Sequence, residues 1–411
     1  MRDRKFRVQP ATRRAAFVLL VGMCVLTAPS TAHGQGTAGR FVLGPLQWTP
    51  NIQLREAGID SNVFITPDDA RQDVSGSFLT QVDSLLTLGI GRVSTQGAAE
   101  YVYFDRYKSE RSVNGRVGSR MDFALSRLRP TATVAWAHLK ERASSEIDIR
   151  APRSDLGYGA SLAGRLTSRL TLTAGMTRDA TVYDAGYAFR GADLASQLNR
   201  DTTNILVGIR ADISPFTSLF IDGGAGRDGF TAQRARNTDN FRANAGLQFA
   251  PDAVISGRAS VGYHKMQPQH QTGAVGEASS FGGFTSAVGL GYTLLGVTRL
   301  NGHFTRDTTY SISTTQPFYL STAGGFDILQ TLVGPLDLAL RGSRENMAYA
   351  VSPTAAARTD LIDTFGGGLS VRISTQGRVG VNYEDMKRRS TGGALFGYAR
   401  RRIYTSVTYG F

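Results

Sequence analysis

The sequence predicts an all-β protein, a transmembrane antiparallel up-and-down β-barrel of about 18 strands, with 16 as the alternative count. Three observations lead to this fold class. Apolar and polar residues alternate along nearly the whole chain, tight turns alternate with long polar connections, and the amino terminus has the layout of an export signal. Such a pattern is typical of a barrel whose strands face lipid on one side and water on the other.

The first 34 residues are predicted to be a secretory signal peptide. A basic stretch comes first, an apolar run follows at 15–28, and the small residues Ala32 and Gly34 precede the expected cleavage site. The apolar run is too short for a membrane-spanning helix, which needs about 20 residues. The single cysteine, Cys24, lies in this run without the small preceding residue that a lipid anchor would need. The exported chain would therefore contain no cysteine, and disulfide or thiol chemistry is not expected.

The composition is basic and moderately polar. The chain has 46 Lys and Arg against 33 Asp and Glu, a net charge of +13. The predicted signal peptide holds six of the basic residues and one acidic residue, so the exported chain keeps a net charge of +8. The mean hydropathy of −0.17 resembles that of a soluble protein. No later apolar run is long enough for a helical span.

Residues 35–45 are expected to form a short periplasmic segment, and residues 46–411 the barrel. Four segments show the strand pattern most clearly: TNILVGIRADI at 203–213, GRVGSRMDFAL at 115–125, NFRANAGLQF at 240–249 and TFGGGLSVRI at 364–373. In each of them every second residue is mainly apolar, and the residues between are mainly polar or Gly. One such segment could be an ordinary half-buried strand. Repetition over the whole chain favours the barrel.

The connections alternate between two lengths. Tight turns are predicted at 94–97, 126–130, 166–170, 213–218, 250–253, 294–299, 333–337 and 374–377. Long polar loops are predicted at about 58–75, 107–116, 142–154, 181–200, 228–239, 265–280, 307–318, 344–360 and 386–400. Eight turns and nine loops give 18 strands with both termini on the periplasmic side. Because open sheet edges are costly in lipid, the sheet is expected to close around a water-filled lumen.

The last residues, YTSVTYGF, resemble the C-terminal targeting signal of outer-membrane barrels. Phe411 and Tyr409 occupy the two aromatic places of that signal, and Val407 is the next lipid-facing residue. The resemblance implies recognition by the barrel assembly machinery. It also implies integral insertion into the outer-membrane lipid of a Gram-negative bacterium.

A second resemblance covers residues 43–64, LGPLQWTPNIQLREAGIDSNVF. This stretch is similar to the first strand and loop of the second type of putative beta-barrel porin, with the Asp-Ser-Asn-Val-Phe close at 60–64. The resemblance implies an aqueous channel in the outer membrane. Related barrels are found with exopolysaccharide-export systems, so export proteins are one implied set of partners.

The polar strand faces predict a basic lumen. The arginines expected there are Arg55, Arg116, Arg120, Arg165, Arg210, Arg242, Arg258, Arg299, Arg341, Arg372, Arg378 and Arg402, opposed by Asp83, Asp122, Asp212, Asp222, Asp327, Asp337 and Glu384. Rings of Arg in a channel favour anions, so small anionic solutes are the expected cargo. The alternative is that these arginines pair with the acids across strands and line a hydrated inner wall without selecting ions.

Aromatic residues near strand ends predict interfacial girdles. They are Trp48, Tyr101, Tyr103, Phe123, Tyr263, Tyr292, Phe326, Tyr383 and Tyr409. The sharper alternative is a track for stacking sugars, formed on the lumen face by Tyr319, Tyr404 and Phe220.

Catalysis is not predicted. The exported chain has His138, His264, His270 and His303, which lie in no nucleophile motif and lack metal-ligand spacing. They are expected in solvated loops or in the lumen, and no cofactor or metal is expected. Export argues against a nucleic-acid partner. Three functions stay open: a porin for small anionic solutes, an exit duct for an exopolysaccharide that works with inner-membrane and periplasmic partners, and a structural or adhesive barrel with an occluded lumen.

Overall fold

Eighteen long strands follow one another in the part of the chain that the computed structural model describes, residues 41–269, 280–349 and 355–410. They are β1 (Leu46–Asp60), β2 (Asp73–Leu88), β3 (Gly91–Phe104), β4 (Ser112–Phe123), β5 (Leu128–Glu141), β6 (Ala151–Arg165), β7 (Leu170–Tyr183), β8 (Arg200–Ser214), β9 (Thr217–Phe230), β10 (Thr238–Phe249), β11 (Ile255–Pro268), β12 (Phe281–Leu294), β13 (Thr298–Tyr310), β14 (Phe318–Val333), β15 (Leu336–Tyr349), β16 (Arg358–Arg372), β17 (Gly377–Ser390) and β18 (Tyr398–Gly410). Each strand pairs antiparallel with the next, and β1 pairs with β18. The predicted closed barrel of 18 strands is confirmed.

Smaller elements lie outside the barrel wall. A short strand, Phe41–Leu43, pairs with β1 inside the predicted periplasmic segment 35–45. The fourth long loop carries a two-residue hairpin, Ala188–Phe189 with Ala192–Asp193, and the helix α1 (Leu194–Leu198). No helix in the described ranges is both long enough and apolar enough to span a membrane. The predicted signal peptide, 1–34, lies outside the described residues and stays a prediction.

Short and long connections alternate around the barrel, as predicted. The long ones are named here L1 (61–72), L2 (105–111), L3 (142–150), L4 (184–199), L5 (231–237), L6 (269–280), L7 (311–317), L8 (350–357) and L9 (391–397). All nine overlap the predicted loops; residues 270–279 of L6 and 350–354 of L8 lie outside the described residues. Long loops face the outside of the cell in such barrels and short turns face the periplasm. The side of the barrel that carries L1–L9 is called the outer mouth below.

One predicted turn is wrong. The STQG at 94–97 lies inside β3, whereas the identical STQG at 374–377 makes a turn between β16 and β17. The turn before β3 occurs five residues earlier, where Gly89 adopts a φ of 55°. A left-handed residue favours Gly, so Gly89 fixes the turn before the STQG is reached. The local sequence alone did not distinguish the two cases.

Large apolar side chains cover the outside of the barrel. In β8, for example, Ile205, Val207 and Ile209 are exposed, while Arg210 and Asp212, which follow them, face the interior. The nine predicted girdle aromatics are all outward-facing and between 36% and 46% exposed. A soluble protein does not expose apolar surface of this extent. The outer wall is therefore built to contact lipid.

The closure seam between β1 and β18 depends on a glycine. A Cβ at Gly58 would lie 2.0 Å from the backbone oxygen of Ile403. We expect Gly58→Val to reduce strongly the fraction of chains that reach the heat-modifiable, fast-migrating barrel form, because backbone cannot yield to the added side chain. Gly302→Val, where a Cβ meets nothing within 4 Å, is the matched control. Equal folding of the two variants in an electrophoretic refolding assay would contradict this prediction.

Candidate functional site

Strand alternation places the twelve predicted arginines on the interior side of the barrel. Nine of them form ion pairs with acids at 4.0 Å or less: Arg55 with Glu100, Arg120 with Asp122, Arg210 with Asp212, Arg242 with Asp307, Arg258 with Asp222, Arg341 and Arg402 with Glu384, and Arg372 and Arg378 with Asp337. Within the described ranges no ion pair joins Arg116, Arg165 or Arg299 to an acid. The interior wall therefore combines paired and acid-free arginines.

A row of alternating charges crosses the closure seam. Arg402 donates to Glu384 and to Glu56, both at 2.5 Å, and Arg341 approaches Glu384 at 3.7 Å. Glu56 reaches the interior because a bulge in β1 gives it a φ of 54°, which places it on the same side as Arg55. The guanidinium group of Arg402 also lies 5.2 Å from the ring centre of Tyr404. Two arginines thus share one carboxylate in this row.

A second shared carboxylate lies nearer the periplasmic end. Asp337 is buried and accepts from Thr331 at 2.9 Å, and its other oxygen forms ion pairs with Arg378 at 2.9 Å and Arg372 at 3.5 Å. One negative charge faces two positive ones, so the cluster keeps a positive charge. Both shared carboxylates belong to the quarter of the barrel formed by β15–β18 and the seam.

Some acidic partners were not predicted. Asp307 fell in the predicted loop 307–318 but lies in β13, and Glu56 was hidden by the bulge. Glu100 precedes the alternating aromatics of β3, so its inward position could have been read from the sequence. Of the predicted acids, Asp83 accepts from Gln81 at 3.3 Å, and Asp327 has no ion pair in the part that the structure describes.

The predicted sugar-stacking aromatics are covered. Tyr319, Tyr404 and Phe220 face inward but are almost fully buried. The guanidinium group of Arg258 lies 3.7 Å from the ring centre of Phe220, and Tyr319 packs against Tyr349 at 4.9 Å. Cation–π contacts of this kind stabilise the arginine positions. These rings do not offer open faces to a sugar.

L3 crosses the outer mouth. It leaves the wall between β5 and β6, yet Ser145 donates to Glu345 of β15 at 2.5 Å, and its backbone oxygen accepts from Arg388 of β17 at 3.1 Å. Seven or eight strands separate β15 from the base of L3 in either direction around the barrel. Glu146 accepts from Ser311 of L7 at 2.7 Å. L3 therefore spans the lumen from one side to the other.

The loops of the outer mouth share an apolar core. Its buried members come from L3, L4, L7 and the adjoining strand ends: Ile147, Ala151, Tyr183, Phe189, Leu194, Leu198 and Ile312. Burial of apolar surface stabilises this arrangement by about 25 cal/mol per Å². This packed cluster narrows the outer mouth of the barrel. The three loops that form it, L3, L4 and L7, are called the loop cap below.

Buried charges join the loop cap to the wall. Arg388 and Asp360 form an ion pair at 2.7 Å, and the side chains of both are 0% exposed. Arg388 also lies 3.3 Å from Asp148 of L3, and Arg358 lies 3.7 Å from Glu146. Burial raises the pKa of Asp148 to about 6, against the opposing effect of nearby arginines, and burial likewise raises the pKa of Glu146.

Arg236 of L5 links loops L4 and L7. Its guanidinium group is buried and donates to the backbone oxygens of Gln197 at 2.9 Å, Ser311 at 2.6 Å and Pro317 at 2.9 Å. Burial lowers the pKa of Arg236 to about 10, so the side chain stays charged at neutral pH. Backbone oxygens from L4 and L7 thus converge on one cation.

Three of the four histidines of the exported chain lie in strands, and His303 faces the lumen as expected. His264 is not in a loop but in β11, where it is buried, 3.1 Å from Asn240 and 3.4 Å from Asp307. His138 lies on the outer face of β5 at 3.0 Å from Ser154, and His303 faces inward from β13. His270 lies outside the described residues. Among the residues that the structure describes, no group of three or more His, Cys, Asp or Glu is arranged to hold a metal ion.

Of the predicted targeting residues, Val407 and Tyr409 lie on the outward face of the last strand. Phe411 lies outside the described residues. Their recognition by the barrel assembly machinery stays a prediction.

Residues 31–411 match the family described as Putative beta-barrel porin 2. The match covers nearly the whole chain and agrees with the closed 18-stranded wall. The chain belongs to this family. The porin is accordingly an integral β-barrel of the Gram-negative outer membrane, with a porin-like architecture.

Solved barrels share its fold. A BenF-like porin from Pseudomonas fluorescens Pf-5 and OccK2 (OpdF) from Pseudomonas aeruginosa, in complex with glucuronate, are each 12% identical to this porin, with a TM-score of 0.50; 89% of this chain and 98% of theirs are covered. OpdK from Pseudomonas aeruginosa, solved with vanillate, is 13% identical over the same shares, with a TM-score of 0.49. No curated protein matches the chain.

Proposed function

We propose that this porin passes small anionic solutes through a basic lumen whose outer mouth is narrowed by the loop cap. The observation that carries the proposal is the arrangement of arginines on the inner wall. Arg116, Arg165 and Arg299 face inward with no acidic partner in the described ranges, and two carboxylates are each shared by two arginines. Positive charge along a water-filled passage concentrates anions and repels cations.

The shared carboxylates suggest how an anion moves along the wall. A solute carboxylate or phosphate can replace Glu384 or Asp337 as the partner of a nearby guanidinium group, because each acid is already shared by two arginines. Competition from the resident acid keeps such binding weak. Weak binding at successive places is what allows a solute both to enter and to leave. OccK2, a barrel of the same fold, was solved with the carboxylate glucuronate.

The proposed passage of solutes involves no catalytic step. We propose no enzymatic activity, since passage requires only the wall and the loop cap. The surrounding partners are outer-membrane lipid and, during insertion, the barrel assembly machinery. An exopolysaccharide duct would require the apolar core between L3, L4 and L7 to separate for each chain, which makes it the weaker proposal.

The acid-free arginines offer a clean test of selectivity. We expect the triple variant Arg116→Gln, Arg165→Gln, Arg299→Gln to lower the chloride-to-potassium permeability ratio by about twofold or more, because it removes lumen charge without leaving an acid unpaired. The ratio is measured from the reversal potential in a planar bilayer under a KCl gradient. Arg227→Gln, on the outer face of β9, is the control. An unchanged ratio in the triple variant, or cation preference in the wild type, would refute the proposal.

A further inference from the structure

A charged patch interrupts the apolar outer wall on β15–β18, near the outer mouth. It consists of Arg344, Asp363, Asp385, Lys387, Arg389 and Arg401. These residues continue the outward rows of Phe365 and Tyr383, so they face away from the lumen. Arg344 and Arg389 each lie 2.5 Å from Asp363, while Lys387 and Arg401 lie 3.3 and 3.2 Å from Asp385. Four positive charges surround two negative ones.

The position of the patch fits the headgroup layer. A charge on the lipid face costs about 2–4 kcal/mol at the bilayer midplane and almost nothing at the interface. The first outward-facing charged residues of these four adjacent strands lie in two neighbouring rows, Arg344 beside Asp363 and Asp385 beside Arg401, next to the exposed rings of Phe365 and Tyr383. These rows therefore mark the outer boundary of the apolar layer. The arginines are open to a ligand, because Arg344, Arg389 and Arg401 are 66–67% exposed.

A groove continues from the patch toward the membrane interior. Its volume is about 660 Å³, and its lining runs from Arg344 and Lys387 down to Phe326 and Phe365. Gly342 lies between these two rings in the strand register, and the ring of Phe326 packs over it. The groove is thus charged at its upper edge and apolar below. A lipid standing along the membrane normal has the same order of polarity.

We propose that this patch binds the phosphorylated headgroup of an outer-leaflet glycolipid, with part of an acyl chain in the groove. Guanidinium groups bind phosphate oxygens in bidentate fashion, and the two aspartates hold the arginines in place without neutralising them. Two other charged sites on the outer wall are one-to-one ion pairs, Arg178 with Asp201 and Arg227 with Asp239. A second copy of the chain is the other conceivable occupant, but two net-positive patches repel each other.

The test compares two matched double variants in detergent. Lipopolysaccharide is added to the purified barrel, and the amount of bound lipid is measured by native mass spectrometry. We expect Arg344→Ala with Arg389→Ala to weaken binding about tenfold or more, since two charge-assisted contacts are lost. Arg178→Ala with Arg227→Ala, which removes the same charge from the same face, is expected to bind as the wild type does.

Two further measurements separate the possible occupants. Lipopolysaccharide stripped of its phosphates is expected to bind the wild type weakly. Its affinity should not exceed that of intact lipopolysaccharide for the Arg344→Ala, Arg389→Ala variant. Equal binding of intact and stripped lipid, or undiminished binding by that variant, would overturn the proposal. So would a dimer or trimer in the same spectra that is lost in that variant, because the patch would then be an interface between copies.

Discussion

Replacing Arg388 with alanine is expected to release L3 and to raise the single-channel conductance severalfold. Arg388 is a buried link between the wall and the loop cap, since it pairs with Asp360 and binds both the Ser145 oxygen and Asp148 of L3. Removing one partner of a buried ion pair typically costs 3–5 kcal/mol, because the other charge is left uncompensated. The cost falls on the packing of L3, whereas the strand ladder of the barrel stays intact.

Limited proteolysis gives an independent measure of the same release. Trypsin is expected to cut the Arg388→Ala barrel within L3, at Arg150 or Arg142, under conditions where the wild type resists. Arg389→Ala is the matched control, because Arg389 is the next residue of β17, faces outward and contacts Asp363 instead of L3. Wild-type conductance together with wild-type protease resistance in Arg388→Ala would show that this ion pair does not hold the loop cap.

The conductance is expected to fall as the pH is lowered through about 6. Burial raises the pKa of Asp148 from 3.8 to about 6 when L3 is packed, so the packed loop binds a proton more tightly than the released loop does. Protonation therefore stabilises the packed state, by on the order of 3 kcal/mol once the pH is below the pKa of the free carboxyl. This stabilisation is lost as the pH rises through 6. Glu146 acts in the same direction, because burial also raises its pKa.

Two variants separate Asp148 from the other carboxyl groups. Asp148→Asn cannot ionise, so its conductance is expected to stay low and to change little between pH 7 and pH 5 beyond the contribution of Glu146. Asp69→Asn, which removes an exposed carboxyl of L1, is expected to keep the wild-type pH profile. A conductance that rises on acidification, or a full pH dependence retained by Asp148→Asn, would contradict the assignment.

The wall of the barrel could be predicted from the sequence because its cause is local. Alternation such as that of Ile205, Val207 and Ile209 against Arg210 follows directly from the period of a strand. Turns were harder, since the STQG at 94–97 lies inside a strand while its copy at 374–377 makes a turn. The bulge at Glu56 interrupts the two-residue alternation of β1 and turns this acid to the interior face, which the sequence pattern did not predict.

The loop cap could not be predicted, because its contacts are remote in the sequence. Ser145 meets Glu345 two hundred residues later, and Arg236 binds oxygens of L4 and L7. Neither pairing leaves a periodic signal. The buried position of His264 was not predicted for a related reason, since β11 continues to Pro268, inside the polar stretch at 265–280 that was predicted as a loop. The polar composition of the loops predicted exposure to solvent, whereas L3, L4 and L7 pack against one another in the structure.

The measurement that tests the central claim most directly is the reversal potential of the wild-type barrel, recorded in a planar bilayer under a KCl gradient beside the Arg388→Ala variant. We predict a chloride-preferring potential in both, with the larger conductance in Arg388→Ala, since the variant changes the mouth and not the basic wall. A potassium-preferring potential in either barrel would contradict the account. So would a wild type that does not conduct beside a variant that does, which would favour an exit duct opened by its polymer.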